Sequence, residues 1–258
     1  MFLIEQLLHL PVLVGALLLM AVTTIAGLSV YLLSNRLLTE SEASDTRLSA
    51  EYLFRVIGIL VSLFLSLTFA DVVLELNQIE ESIEREAVMI EDIHRDPDRY
   101  DSAGARKARA LVVDYVEAVI NHDRPALAND KLSREARLVF EQLENEVLHL
   151  EDNTEVQSIL RSRIISDVDI VSDLRLSRLE QALAKPPLFL VVVIFGFLAT
   201  MVCFGPHRPN RQTLVFLSFY TLFIGLVVYP ILAYSDPFQG STGIEPVSLE
   251  FVLMQIKS

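Results

Sequence analysis

The sequence predicts an all-α membrane protein with four transmembrane helices and a helical-bundle insert between the second and the third. Three observations predict this fold. The 258-residue chain contains four long apolar segments, and its charged residues are concentrated between the second and the third of them. The charged stretch shows no alternation of apolar and polar residues, which is the pattern typical of strands.

The apolar segments set the expected membrane crossings. Residues 12–33 carry no charge, and a helix of this length is about 33 Å long, enough to cross the hydrocarbon core. The second segment, 56–70, needs to be extended to residue 76 for a full crossing. The third and fourth expected crossings are 188–204, introduced by Pro186-Pro187, and 213–234.

Long apolar segments also occur in cleaved signal peptides and in the core helices of soluble proteins. The first segment is longer than the apolar part of a signal peptide, and only Glu5 and His9 lie upstream of it as titratable groups. Two runs of about 22 uncharged residues are untypical of soluble core helices. We therefore expect a multi-pass protein of the bacterial inner (plasma) membrane, with the lipid bilayer as its surroundings.

Composition excludes several functional classes. The formal net charge is −13, whereas nucleic-acid binding needs a basic surface, so we expect no nucleic-acid partner. The single cysteine, Cys203, cannot form a disulfide framework or a cysteine-based zinc site. The sequence shows no nucleophile elbow, phosphate-binding glycine loop or His-rich zinc motif. We expect no enzymatic activity and no cofactor.

Residues 76–184 form an acidic insert with 24 Asp and Glu against 14 Lys and Arg, a net charge of −10. Apolar residues spaced by three and four predict that the second span continues as one helix to Asp96-Pro97. Three more helices are expected, starting at Asp101 or Ser102, at Ser133 and at the capping box Thr154–Gln157. The predicted core stripes are Leu76, Ile79, Ile83, Ala87 and Ile90; Ala108, Leu111, Val112, Tyr115 and Val119; Val139, Leu143, Val147 and Leu150; and Leu160, Ile164, Val168, Val171 and Leu174.

The expected domain organisation follows from these segments. Residues 1–76 hold transmembrane helices one and two, 77–185 the extramembrane bundle, and 186–236 helices three and four. In the tail, 237–258, Leu249, Val252, Leu253 and Ile256 suit a short amphipathic helix, although a strand is the alternative. Arginines in the short connections favour a cytoplasmic location for those connections and place the insert outside.

Small residues recur every four positions along the second span. Such a stripe lets helices approach closely in lipid, and it also suits a pore-facing surface on which the two serine hydroxyls meet ions near the charge of Asp71. Thr68 points to roughly the opposite side of the helix. The candidate pore-lining or helix-packing residues are Gly58, Ser62, Ser66, Ala70 and Asp71.

Two Glu-x-x-His pairs in the insert raise the question of a metal site. Bundles that bind two metal ions use two such pairs together with two further glutamates. The insert is so rich in glutamate that chance matches are expected, and we expect no metal there. The pairs are Glu91 with His94 and Glu146 with His149, and the candidates for additional ligands are Glu117 and Asp114.

Several short segments stand out as motifs. They are Asp236-Pro-Phe238-x-Gly240, Glu245-Pro-Val, Arg85-Glu86-Ala87, Ile93-His94-Arg95, Asp114-Tyr115 and Asp123-Arg124-Pro125-Ala126-Leu127. Together with the order of two spans, a helical insert and two spans, these motifs resemble the bestrophin-like domain family, a bacterial family of membrane proteins. In place of the family's acidic-Trp-Pro segment, the chain has Asp123-Arg124-Pro125.

The resemblance implies a relation to bestrophins, which are pentameric ion channels with four membrane helices per subunit and a pore lined by the second. It implies that the second span lines a pore in a homo-oligomer, and that the insert lies in the cytoplasm, opposite to the side that the arginines favour. The alternative function is a non-conducting scaffold or accessory subunit that binds a protein partner through the acidic bundle. Packing of the four helices within a monomer is a further alternative.

Overall fold

A computed structural model describes residues 10–38, 44–100, 102–129, 131–182, 188–238, 243–244 and 246–257. These residues form helices and contain no strand, so the all-α class is confirmed for the described part of the chain. A π-helical turn, Val119–Asp123, joins the third and fourth helices. The helices are α1 Val12–Leu38, α2 Ser44–Tyr100, α3 Ala103–Ala118, α4 Arg124–Leu127, α5 Glu135–Leu148, α6 Glu155–Ala182, α7 Leu188–Cys203, α8 Arg211–Tyr234 and α9 Val247–Lys257.

The chain divides into two compact units. The first contains the described residues of Met1–Glu75 and Lys185–Asp236, and the second contains those of Leu76–Ala184 and Gly243–Ser258 with Pro237–Gln239. The N-terminal part of α2 therefore belongs to the first unit and its C-terminal part to the second.

Among the described residues, three helices are long and apolar enough to cross a membrane. They are α1, α2 over Leu48–Pro97, and α8, whose most apolar stretches have mean hydropathies of 2.2, 2.3 and 2.2. The third expected crossing, residues 188–204, is shorter than these three. Helix α7 has 16 residues, which at 1.5 Å per residue is about 24 Å and shorter than the hydrocarbon core. The Pro186-Pro187 pair that was expected to introduce it lies outside the described residues.

Glycines allow close approach between the helices of the first unit. A Cβ at Gly225 of α8 would lie 2.9 Å from Cα of Met20 of α1, and one at Gly196 of α7 would collide with the side chain of Val61 on α2. Helix packing in lipid depends on such close backbone contact. The buried core of this unit includes Tyr31, Val61, Leu65, Met201, Leu217 and Ile231.

The connection between α7 and α8 is fixed on α1 by hydrogen bonds. Asn35 Nδ2 donates to the carbonyl of Gly205 at 2.7 Å and to that of His207 at 2.9 Å. Tyr31 Oη also donates to the carbonyl of His207, at 3.0 Å. These bonds satisfy the backbone carbonyls of a tight connection and hold the segment in one position.

The core of the second unit follows the predicted stripes. Most stripe residues are buried, and Leu76, Val139, Leu160 and Leu174 are partly buried. Helix α9 adds Leu249 and Val252 to the same core, so the tail forms the helix rather than the alternative strand.

Several helix boundaries differ from the prediction. Helix α2 starts at Ser44 instead of near residue 56, and it continues past Pro97 to Tyr100. A proline so close to the C-terminal end removes one backbone hydrogen bond and leaves the helix otherwise intact. The second bundle helix, expected to reach Asn121, is α-helical to Ala118 and then becomes π-helical.

The predicted caps are partly formed. Ser102 Oγ accepts a hydrogen bond from the backbone N–H of Ala105 at 3.0 Å, which makes it the N-cap of α3. Thr154 Oγ1 accepts from the N–H of Gln157 at 3.2 Å, but the Gln157 side chain donates to the carbonyl of Tyr100. The capping box therefore forms in only one direction, because Gln157 ties α6 to the end of α2.

Candidate functional site

The stripe of small residues on α2 lies outside the packing of its own chain. Ser62, Ser66, Ala70 and Asp71 are exposed, and a Cβ added at Gly58 would meet no atom within 4 Å. The packing is made instead by a neighbouring side of the helix, through Val61, Leu65, Thr68 and Val72, of which none is more than 6% exposed. The stripe therefore makes little contact with the rest of its own chain among the described residues.

The polar groups of this candidate set are two serine hydroxyls and one carboxylate. Ser62 Oγ donates to the carbonyl of Gly58 at 2.9 Å, so its lone pairs remain free to accept hydrogen bonds. Thr68, expected on the opposite side, is fully buried and donates to the carbonyl of Phe64 at 2.7 Å. Asp71 adds the single negative charge of the candidate set at the C-terminal end of the stripe.

A second feature is a cluster of charged side chains inside the helical bundle. Arg178 Nη1 contacts Glu86 Oε2, and Arg178 Nη2 lies 3.5 Å from Asp123 Oδ2. Tyr115 Oη donates to Glu86 Oε1 at 2.7 Å. All four side chains are buried, so their charges are shielded from water and depend on one another.

Burial and neighbouring charges shift the pKa values of three side chains in this cluster. Burial lowers the pKa of Arg178, but Glu86, Tyr115 and Asp123 together more than offset this, and the pKa of the guanidinium lies above its ordinary value. Burial raises the pKa of Asp123, against a smaller lowering by Arg178. The pKa of the Tyr115 phenol is raised by burial and by the negative charge of Glu86. Arg178 therefore stays charged, and Tyr115 stays a hydrogen-bond donor.

Local backbone geometry brings Asp123 to this cluster. The π-helical turn ends at Asp123, and the N–H of Arg124 donates to the carbonyl of Val119. Pro125 follows and has no N–H for an α-helical bond to the preceding turn. The extra residue of the turn rotates the following side chains, and π-helical turns are frequent at functional sites.

Sequence analysis missed the cluster, although a signal for it exists. On α6 the apolar stripe through Val168 and Val171 continues at Arg175 and Arg178 with the same spacing of three and four. On α2, Glu86 occupies a stripe position between Ile83 and Ile90. Charged residues at positions that face the core indicate a buried ion pair.

Arg175 is also buried, and its guanidinium lies over the ring of Phe140, 5.8 Å from the centroid. Beside the cluster is a cavity of about 20 Å³, which is large enough for roughly one water molecule. Asp123 and Arg178 line one side of this cavity, and Phe238 and Leu249 from the tail line another.

The Glu-x-x-His pairs have other partners. Glu91 accepts from Gln255 at 3.1 Å, and His94 Nε2 accepts from Arg109 Nε at 2.9 Å. Glu146 pairs with Lys107 at 2.5 Å, and His149 Nδ1 lies 2.6 Å from the carbonyl of Asn145. In the part of the chain that the structure describes, no group of three or more His, Cys, Asp or Glu side chains could hold a metal ion.

An acidic groove of about 390 Å³ lies between α5 and α6. Glu141, Glu144 and Asp169 form its polar edge, and Ile165 and Val168 are among its apolar residues. Burial raises the pKa of Glu144, and the negative charges of Asp169 and Glu141 raise it further. The groove therefore concentrates negative charge beside an apolar surface.

Three residues of the buried cluster belong to the motifs that carried the family resemblance. Glu86 lies in Arg85-Glu86-Ala87, Tyr115 in Asp114-Tyr115, and Asp123 in the Asp-Arg-Pro segment. Gly240 and Glu245, which belong to the tail motifs, lie outside the described residues.

Comparison with solved structures shows the fold. A crystal structure of a variant of a bacterial bestrophin homologue from Klebsiella pneumoniae has a TM-score of 0.65 at 13% identity, covering 93% of this chain and 96% of that chain. A crystal structure of a variant described only as a membrane protein has a TM-score of 0.63 at 12% identity, covering 93% of this chain and 97% of that chain.

No curated protein matches the chain in sequence. The sequence family described as the bestrophin-like domain matches residues 7–249, which is nearly the whole chain. The resemblance noted in the motifs is thereby confirmed: the chain belongs to the bestrophin-like domain family.

Proposed function

We propose that the chain is a four-span protein of the bacterial inner membrane that assembles into a homo-oligomer and conducts ions along a path lined by α2. Family membership supports this proposal, since the relation to bestrophins implies a channel whose second span lines the pore. In this proposal α7 completes the four spans, residues 77–185 form the extramembrane bundle, and residues 237–258 form the tail.

The observation that carries the proposal is the division of α2 into two faces. One face packs within the chain through bulky or buried residues such as Val61 and Thr68. The stripe from Gly58 to Ala70 remains exposed, although it has the small side chains that favour close helix approach. Copies of α2 arranged in a ring would turn this stripe toward each other or toward a water-filled centre.

Assembly and conduction are tested in two steps. The protein mass of the purified particle in detergent is expected to be at least twice that of the 29.0 kDa chain, and a monomer would contradict the proposed assembly. Liposomes that contain the protein are expected to release ions, and Ser66→Leu and Asp71→Asn are expected to change the flux or the preference between cations and anions. Leu53→Ala, which alters an exposed apolar residue outside the stripe, is the matched control.

The acidic groove favours a second function, that of a non-conducting scaffold. A basic amphipathic segment of a partner protein would complement Glu141, Glu144 and Asp169 through charge and the apolar residues through burial. This function predicts a monomer that co-purifies with one partner and liposomes without ion flux. It also predicts that Glu144→Lys abolishes the co-purification while leaving the oligomeric state unchanged.

A further inference from the structure

A cavity of about 260 Å³ lies in the first unit, between the start of α2 and the end of α7. It is separate from the stripe of small residues on α2. Glu51, Phe54 and Arg55 line it from α2, and Phe204 and His207 line it from the connection that follows α7.

The cavity combines opposite charges with an aromatic surface. Glu51 Oε1 lies 3.7 Å from His207 Nε2, and Arg55 follows Glu51 by one helical turn. Phe54 and Phe204 pack edge to face, with 4.7 Å between ring centroids. One carboxylate, one guanidinium and an imidazole thus stand beside two aromatic rings.

His207, one of the polar residues of the cavity, is held by the surrounding structure. Asn35 and Tyr31 fix the carbonyl of His207 on α1. The ring of His207 lies 5.8 Å from that of Phe204, centroid to centroid. His207 Nδ1 is buried and has no hydrogen-bond partner among the described residues. A ring that is already held in place loses less entropy when it binds a ligand.

We infer that this cavity binds the headgroup of a phospholipid that carries a primary amine, with the ammonium at Glu51 and the phosphate at Arg55 and His207. The inference rests on the membrane topology of the proposed function. In that topology the cavity lies where apolar helices meet polar connections, which is the level of the lipid headgroups. The acyl chains would then extend along the exposed apolar side chains that follow Arg55 on α2, such as Val56 and Leu60.

The charges of the site select among headgroups. An ammonium donates hydrogen bonds to a carboxylate, whereas the quaternary amine of choline has no N–H to donate. A glycerol headgroup offers no positive charge to Glu51 and leaves the lipid with a net negative charge close to that carboxylate. One turn of α2 separates the Cβ atoms of Glu51 and Arg55 by roughly 5–6 Å, a spacing that suits the neighbouring charges of phosphoethanolamine.

Native mass spectrometry of the full-length, delipidated protein tests the inference. The probes are phosphatidylethanolamine, phosphatidylcholine and phosphatidylglycerol with identical acyl chains. The wild type is expected to retain one phosphatidylethanolamine per chain. Its retention of either other lipid is expected to be about tenfold lower, because those headgroups lack the charge-assisted hydrogen bond to Glu51. Glu51→Gln is expected to abolish the preference among the three lipids. Arg55→Gln is expected to lower retention of all three about tenfold.

The matched control is Arg36→Gln, which removes an exposed arginine of α1 that does not line the cavity. Equal retention of the three lipids by the wild type, or an equal loss in Arg36→Gln and Arg55→Gln, would overturn the inference. Displacement of the lipid by equimolar soluble phosphoethanolamine would overturn the assignment to a lipid. The same spectra report the number of chains, so lipid retention by a monomer would contradict the proposed assembly and leave the lipid site supported.

Discussion

The guanidinium of Arg178 contacts the carboxylate of Glu86, which lies 92 residues earlier in the chain, and both side chains are almost fully buried. This ion pair joins α6 to the C-terminal part of α2 inside the bundle. Asp123 and Tyr115 contact the same two groups, so four helical segments meet at one charged centre. A centre of this kind favours one arrangement of the helices, because any other packing would bury the charges without partners.

Removal of Arg178 is expected to destabilise the bundle strongly. Arg178→Met leaves Glu86 buried without its partner, and breaking a buried pair in this way costs about 3–5 kcal/mol of the free energy of unfolding. Denaturant titration of the full chain in detergent, followed by helical circular dichroism, measures the loss. Arg95→Met is the control, because its pair with Asp92 is half-exposed and is expected to cost less than about 1 kcal/mol. Equal losses would contradict the importance of the buried centre.

The raised pKa of Asp123 predicts a dependence of stability on pH. Its pKa in the folded chain lies above the ordinary value of 3.8 because of burial. The folded state therefore binds this proton more tightly than the unfolded state does. The resulting stabilisation is complete below the unfolded pKa and is lost as the pH rises through the folded pKa.

The wild type is accordingly expected to lose more free energy of unfolding between about pH 4 and pH 7 than Asp123→Asn, which cannot titrate there. Urea titrations at a series of pH values measure the difference. Asp173→Asn, which removes a carboxylate elsewhere on α6, controls for the loss of one charge. A slope in Asp123→Asn equal to that of the wild type would show that Asp123 does not carry the effect.

Two glycines in apolar helices are expected to respond differently to alanine. At Gly225 the added methyl group would press on the backbone of Met20, so Gly225→Ala is expected to cost about 1–3 kcal/mol through overpacking. At Gly58 the methyl group meets no atom of the same chain, and Gly58→Ala is expected to leave the free energy of unfolding unchanged or raised by up to about 1 kcal/mol. Unfolding of the chain in mixed micelles compares the two variants. A larger loss in Gly58→Ala would mean that α2 packs through the stripe within the chain.

Much of the fold could be predicted because apolar periodicity reports directly on burial. Stripes such as Ile79, Ile83 and Ile90 face the core of the second unit as their spacing indicates. The helical class of the tail also follows from its spacing. Helix ends were harder to predict, because α2 starts 12 residues before the apolar segment at 56, in a sequence where charged residues interrupt the apolar ones.

The buried centre could not be derived from composition, because an arginine on an acidic helix usually faces water. Arg178 differs from a surface arginine only in that it has the same helical spacing as the buried residues Val168 and Val171. The structure explains this position, because Glu86 and Asp123 both contact its guanidinium. The π-helical turn that brings Asp123 there has no periodic signal of its own. The two faces of α2 were easier to separate, since the positions of Thr68 and Ser66 differ by about 200° around a helix.

The central claim is that the stripe of α2 lines an ion path, and thiol accessibility during ion flux tests it most directly. In a Cys203→Ala background, Ser66→Cys and Thr68→Cys proteins are reconstituted into liposomes, and flux is measured before and after a charged thiol reagent is added. We predict that the reagent blocks flux through Ser66→Cys and leaves Thr68→Cys unchanged, because Thr68 is buried within the chain. Absence of flux in the parent protein, or equal block of both variants, would contradict the account.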